Sequence, residues 1–257
     1  MSATVLQERV LILAGGLGMR LRSLLPDRPK VLAPIAGRPF LDILVDQLLA
    51  RGFRRLVLLL GNRADQVVAH VESRRADWPS DLEIEFSVET TPLGTGGALK
   101  LAGRFCQDRF LLVNGDTYFD LDVAALFRAH EDARGLLTIA AAAVEDAGRY
   151  GRLDISSDGL VGRFCEKESP SSPGLINAGV YLMEPALLDT LPSDRAVSLE
   201  CDVFPVLLAE RHRIAASAQH GAFFDIGTPS SYESFVEFCR LQDFSRGSEA
   251  GTNHDRH

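Results

Sequence analysis

The chain predicts a doubly wound α/β fold, with a mostly parallel sheet and helices on both faces. Two features carry that prediction. In the first half, short continuous apolar runs alternate with amphipathic helical patterns, as buried parallel strands and their crossover helices do. The first of those runs leads straight into a glycine-rich turn, LAGGLGMRL from Leu13 to Leu21. Turns at that edge of such sheets are where ligands are held. At 257 residues, with 46% hydrophobic and 24% charged residues, the chain suits one large globular domain with a sizeable core.

The elements follow in order. Val10–Ala14 reads as a fully buried strand and Phe40–Ala50 as a helix. Strand Leu56–Leu60 is followed by a helix near Ala64–Glu72. Strand Glu83–Val88 is followed by a helix near Gly96–Ala102, and then comes strand Phe110–Val113. The second half changes character: Leu136–Val144, Arg152–Ile155, Leu160–Cys165 and Ala178–Leu182 are strand-like, with short turns such as Ser157-Asp158-Gly159 that predict hairpins and a mixed sheet. Ser198 is placed to cap a helix running to about Glu210, Ile214–Ala218 reads as a late strand, and Tyr232–Leu241 as a closing helix. The polar tail from Ser245 to His257 has no apolar periodicity and is expected to be disordered.

The strand-to-glycine turn has a chemical meaning. Backbone N–H groups converging at Leu13, Ala14, Gly15, Gly16 and Gly18 make an anion site, and Arg20 adds a forked cation suited to phosphate oxygens. A polyphosphate is the expected ligand. A P-loop would need G-x-x-x-x-G-K-[ST], but no Lys follows these glycines until Lys30. A dinucleotide fingerprint would need a third glycine where Leu21 stands. What is left, G-G-x-G-x-R-L with a downstream Pro29-Lys30, resembles the sugar nucleotidyltransferase family. Those enzymes join a nucleoside triphosphate to a sugar 1-phosphate. Their motif usually carries Thr or Ser where this chain has Met19, so the backbone amides must suffice at that point.

The resemblance implies a Rossmann-like nucleotidyltransferase fold with a mixed-sheet sugar-binding subregion. A single domain is then expected over residues 1–244, nucleotide-binding to about residue 135 and sugar-phosphate-binding from 136. Within the family, the run Leu21 to Leu41 most resembles guanylyltransferases acting on D-glycero-D-manno-heptose 1-phosphate. Mannose 1-phosphate guanylyltransferases and amino-sugar-phosphate uridylyltransferases are the alternatives. A non-catalytic nucleotide-sensing relative is the rival from another class.

Further motifs acquire roles beside that resemblance. Asp116 follows a buried run in LLVNGDTYF, and Asp225 lies in FFDIGT. Each alone fits a helix cap or turn as well as a Mg²⁺ ligand; both resemble the family's metal-binding motifs, which implies Mg²⁺ as cofactor. Glu89, Gly94 and Thr95 in ETTPLGTGGAL open a helix, where the family holds the base. An ionised Glu89 could accept from guanine N1–H and N2–H, or from backbone amides instead. Tyr150-Gly151, Glu166-Lys167 and Asn177-Ala178-Gly179 are weak signals singly. In that order they resemble the sugar-phosphate pocket, with Lys167 on the phosphate, Glu166 and Asn177 on hydroxyls, and Gly151 offering backbone. Glu200 and Asp202 are read as charges at a helix start. The resemblance makes Arg20, Lys30, Asp116, Lys167 and Asp225 the catalytic set, with GTP and a sugar 1-phosphate as the substrates.

Composition bounds the alternatives. A net charge of −8 argues against nucleic-acid binding, and no apolar leader precedes the first strand, so the expected site of action is the cytoplasm, away from membranes. Apolar helix faces could serve the core or a homo-oligomer contact. Of 27 basic residues only Lys30, Lys100 and Lys167 are lysines, and Lys100 matches no catalytic position. Cys106, Cys165, Cys201 and Cys239 are expected as free buried thiols, and the six histidines as surface residues without zinc spacing.

Overall fold

The computed structural model describes residues 6–16, 18–21, 24–148, 150–165, 172–193 and 195–250. In chain order, β1 (Arg9–Leu13) is followed by two 3-10 turns, Met19–Leu21 and Lys30–Leu32, and a small hairpin of β2 (Pro34–Ile35) and β3 (Arg38–Pro39). Then come α1 (Phe40–Ala50), β4 (Arg55–Leu60), α2 (Ala64–Arg74), β5 (Glu83–Val88), α3 (Gly94–Leu101), β6 (Phe110–Asn114), β7 (Thr117–Phe119) and α4 (Val123–Ala133). The second half holds β8 (Leu137–Val144), β9 (Arg152–Ile155), β10 (Val161–Cys165), β11 (Gly174–Met183), α5 (Phe204–Ala209), β12 (Ile214–Gln219), β13 (Phe223–Asp225) and α6 (Pro229–Ala250).

The predicted doubly wound sheet is present. β5, β4, β1 and β6 lie side by side and parallel, and β11 joins β6 antiparallel, so both halves share one nine-stranded sheet. β8 pairs with the other side of β11, with β12 parallel to it, and β9 and β10 form an antiparallel pair beside β11. The continuous apolar runs follow from burial on both faces. Val10, Ile12, Leu56, Leu58 and Val113 enter one core with Phe40, Leu44, Val67, Leu126 and Phe235, under α1, α2, α4 and α6. The alternate residues Leu11, Val57, Leu59 and Leu112 enter a second core with Leu99, Phe204 and Leu207, under α3 and α5.

Five expectations change. The helix read from Ser198 to Glu210 is divided: Ser198 caps it as expected, accepting from Cys201 N at 3.2 Å, but Leu199–Val203 is a π turn before α5. Pro205 lies where the break falls, and it has no N–H for an i−4 bond. The closing helix starts at Pro229, a favoured first position, and runs to Ala250. Ser245–Ala250 thus continues a helix instead of opening a disordered tail, since extending a formed helix costs little per residue; residues 251–257 lie outside the described residues. His130 is 3% exposed, held between Thr138 Oγ1 and Glu184 Oε1 at 2.9 Å each, so its two ring nitrogens are satisfied inside the core. Of the thiols whose side chains are described, Cys106 is buried, Cys201 exposed and Cys239 half-buried, because the latter two sit on the outer side of their helical segments; the Cys165 side chain lies outside the described residues.

β11 is longer than the Ala178–Leu182 run suggested, because its pairing with β8 passes through an irregularity between Asn177 and Tyr181. A bulge turns side chains out of the regular alternation. Here it presents Asn177 to a cavity described below.

Candidate functional site

The carboxyl ends of β1, β4, β5 and β6 meet along one edge, and the residues just beyond them line a cavity of about 530 Å³. The glycine-rich loop supplies one wall: Leu13, Ala14, Gly15 and Gly16, with Ala14 N donating to Leu59 O at 2.8 Å. A Cβ on Gly16 would meet no atom within 4 Å, so its bareness serves the cavity and not the packing of the chain. Gly115 is different. It lies so close to β1 that a Cβ would stand 2.6 Å from Leu13 O, and only glycine lets the two loops touch.

Glu89, Gly94 and Thr95 complete the opposite wall, with Lys30 and Asp116 at the end of the cavity. Glu89 Oε2 accepts from Leu93 N at 3.1 Å, so one of its oxygens takes the backbone option. A Cβ on Gly61 would stand 2.5 Å from Glu89 Oε1, which places the other oxygen tightly against that loop.

A second cavity, of about 380 Å³, adjoins the first and shares Lys30, Asn114 and Asp116 with it. Tyr150, Asn177, Phe223 and Asp225 line its far side. The short β7–β13 pairing builds this junction: Asp225 lies opposite Thr117, and Ile226 N donates to Asp116 O at 2.9 Å. Two aspartates remote in sequence therefore project from neighbouring backbone. Lys30 Nζ donates to Asp116 Oδ2 at 2.5 Å, Thr117 Oγ1 donates to Asp116 Oδ1 at 3.3 Å, and Gly227 N donates to Asp225 Oδ1. Lys30 and Asp116 thus stand where the cavities join, with the Asp225 carboxylate in the second cavity.

Some expected residues land elsewhere. The 3-10 turn after Gly18 carries Arg20 to the second cavity and not the first, because the tight turn rotates it past the glycine loop. Gly18 lines that cavity and also a small recess of about 130 Å³ with Arg28, Asn62 and Arg63. The backbone of Met19 lies in the same turn. Gly151 O accepts from Asn177 N at 3.1 Å, supporting that residue from behind, while its neighbour Tyr150 reaches the cavity. Glu166 and Lys167 lie outside the described residues.

Lys100 donates to Leu188 O at 2.7 Å and has a structural task. Asp202 Oδ2 accepts from Ser198 N at 2.7 Å, the expected helix-start role. Glu200 instead faces hydroxyl groups of Thr95, Ser198 and Tyr181. Sequence reasoning also passed over Asn62 and Asn114 as site residues. Asn114 ends a parallel strand and Asn62 stands two residues beyond one, and that position was the available signal.

The chain is similar to known proteins. The profile of a family described as nucleotidyl transferase matches residues 9–240. A D-glycero-alpha-D-manno-heptose 1-phosphate guanylyltransferase of Campylobacter jejuni is 31% identical over 231 residues, covering 89% of this chain and 98% of that protein. A mannose-1-phosphate guanylyltransferase of Mycobacterium tuberculosis is 33% identical over 245 residues, 94% of this chain and 64% of that longer protein. The crystal structure of HddC from Yersinia pseudotuberculosis complexed with GMP-PN superposes with a TM-score of 0.80 at 35% identity, covering 91% of this chain and 100% of that one.

Proposed function

Because the chain belongs to the nucleotidyl transferase family, we propose that it transfers a guanylyl group from GTP to D-glycero-D-manno-heptose 1-phosphate, giving a GDP-sugar and pyrophosphate. The sugar-1-phosphate guanylyltransferase activity accords with relatives of that activity that align along nearly their whole length. One observation carries the reading: two adjoining cavities share Lys30 and Asp116, as a reaction between two bound phosphates requires. Mannose 1-phosphate is the second acceptor to consider, given the mannose-1-phosphate guanylyltransferase relatives.

In this reading the 530 Å³ cavity takes the nucleotide, with the phosphates over the bare backbone of Gly15 and Gly16 and the base toward Glu89. Thr95 and Gly94 close that side. The second cavity takes the sugar phosphate, with Asn177 on a hydroxyl; Lys167 and Glu166 join it by family resemblance. An oxygen of the sugar phosphate attacks the α-phosphorus, a new P–O bond forms, and the bond to the bridging oxygen breaks as pyrophosphate leaves with the electron pair. The nucleophile is already an anion, so no general base is needed, and His70 and His130 are engaged elsewhere with Asp42 and with Thr138 and Glu184.

What the protein supplies is position and charge. Lys30, at the junction, offsets the repulsion of two approaching phosphates, and Arg20 neutralises charge from the acceptor side. Enzymes of this family generally use a divalent metal ion. The donor set fits Mg²⁺, which favours one or two carboxylates completed by phosphate oxygens and water. Asp116 and Asp225 would hold it, and it would supply further neutralisation at the reacting phosphates. The thiols Cys106 and Cys201 suit a reducing compartment, and we place the reaction in the cytoplasm. Among the described residues no helix is long and apolar enough to cross a membrane.

A pyrophosphate-release assay over GTP, UTP, dTTP, ATP and CTP, each with heptose, mannose and amino-sugar 1-phosphates, tests the proposal. GTP with the heptose phosphate is expected to give the highest kcat/KM. A preference for a pyrimidine nucleotide would overturn the base assignment, and no release with any pair would overturn the activity.

A further inference from the structure

Glu200 touches both halves of the site. Its half-buried carboxylate accepts through Oε2 from Thr95 Oγ1 and Ser198 Oγ, each at 2.9 Å, and through Oε1 from the Tyr181 hydroxyl at 3.1 Å. Thr95 stands in the first turn of α3 on the nucleotide cavity. Tyr181 is fully buried on β11, four residues beyond Asn177 on the acceptor cavity.

The direction of each hydrogen in this network follows from Glu200. An ionised carboxylate only accepts, so Tyr181 donates to it. Burial, reinforced by the Glu200 charge, pushes the Tyr181 phenol well above its usual pKa, and the hydrogen stays on oxygen. The Tyr181 oxygen in turn accepts from Asn177 Nδ2 at 2.9 Å, while Asn177 Oδ1 accepts from Gly179 N at 2.9 Å. Both ends of the Asn177 carboxamide are thereby told apart, which an asparagine facing only solvent would not achieve. One Nδ2 hydrogen is left for the cavity.

Resting on the reading of the second cavity as the sugar-phosphate pocket, we propose that Glu200 is a positioning residue for the acceptor. Through Tyr181 it holds the Asn177 amino group toward an oxygen of the sugar, and through Thr95 it ties that setting to the nucleotide-side helix. The consequence is directional: a sugar bearing a hydrogen-bond acceptor at that point is favoured, and a group able only to donate is rejected.

The test is a mutant cycle on the full-length protein. Glu200→Gln introduces an end that can donate, which frees Tyr181 to accept and Asn177 to turn over. KM for the sugar 1-phosphate is expected to rise roughly three- to tenfold, the scale of one misdirected hydrogen bond, with kcat changing less. Tyr181→Phe, which keeps the buried ring, should do the same. The Glu200→Gln/Asn177→Ala double variant should be no worse than Asn177→Ala alone. Thermal melts identify any variant that fails to fold.

A second arm needs no turnover. In ¹H–¹⁵N spectra the side-chain amide of Asn177 should shift in both folded single variants, Glu200→Gln and Tyr181→Phe. Multiplying effects of Glu200→Gln and Asn177→Ala, or an unmoved Asn177 amide, would overturn the proposal. If the wild-type protein turns over no sugar 1-phosphate, the transferase reading falls, while the amide shift still decides whether Glu200 sets Asn177.

Discussion

Gly16→Ala separates ligand binding from folding more cleanly than any other change in the glycine-rich loop. The added methyl would meet no protein atom within 4 Å, and Gly16 is not among the glycines at positive φ, so the folded chain accommodates alanine. Alanine also narrows the unfolded ensemble, which stabilises a protein by about 0.4–1 kcal/mol. For a chain of this size that corresponds to a melting point higher by about 1–4 °C. The same methyl would stand in the space assigned to the triphosphate. Losing one backbone amide contact to a charged oxygen costs about 1.5–3 kcal/mol, roughly a ten- to hundredfold weaker Kd. Calorimetry with GTP and a thermal melt on the same sample measure both quantities. Gly115→Ala is the contrast, since its methyl would stand 2.6 Å from Leu13 O and should lower the melting point. Unchanged GTP affinity in a fully folded Gly16→Ala protein would refute the placement of the phosphates over this loop.

Other consequences can be measured in parallel. Asp116→Asn and Asp225→Asn should each lower turnover by orders of magnitude with little change in melting point; near-wild-type rates in either would remove the metal assignment. Met19→Thr should change triphosphate affinity little if the amides carry the binding, whereas a large gain in calorimetry would mark a donor site weakened by the natural methionine. Burial pushes the Cys106 thiol up to about 12 from 9.0, so the unfolded chain ionises first as pH rises. Its stabilising contribution is whole below pH 9 and lost as pH climbs toward 12. Denaturant midpoints taken across that range should fall with pH, and less steeply in Cys106→Ala; equal slopes would count against it.

How much of this was legible beforehand depended on the reach of each signal. Phe40–Ala50 and Glu83–Val88 were readable to the residue, because local periodicity and flanking turn residues decide where such elements begin and end. The π turn at Leu199–Val203 was not, because the cap at Ser198 and the break at Pro205 compete within one helical pattern. The strand-end rule led to Gly15, Gly16, Glu89 and Asp116, and these do share a cavity. Asp225 was found only through its motif, since nothing local announces that β13 will pair with β7. Arg20 was placed by its charge beside the glycines, yet a single 3-10 turn redirects it to the second cavity. Glu200 was read as a helix-start charge because its partners, Thr95 and Tyr181, come from distant segments. A half-buried carboxylate among hydroxyls is a tertiary fact, and no window of sequence contains it.

The central claim, that this chain joins GTP to a heptose 1-phosphate across a shared Lys30–Asp116 junction, is tested most directly by ³¹P spectroscopy of the reaction. With GTP, D-glycero-D-manno-heptose 1-phosphate and Mg²⁺, the account predicts loss of the γ-phosphate signal together with the growth of a GDP-sugar diphosphate pair and pyrophosphate in equal amounts. Release of inorganic phosphate or GMP without a sugar conjugate, or an unchanged spectrum, would contradict it.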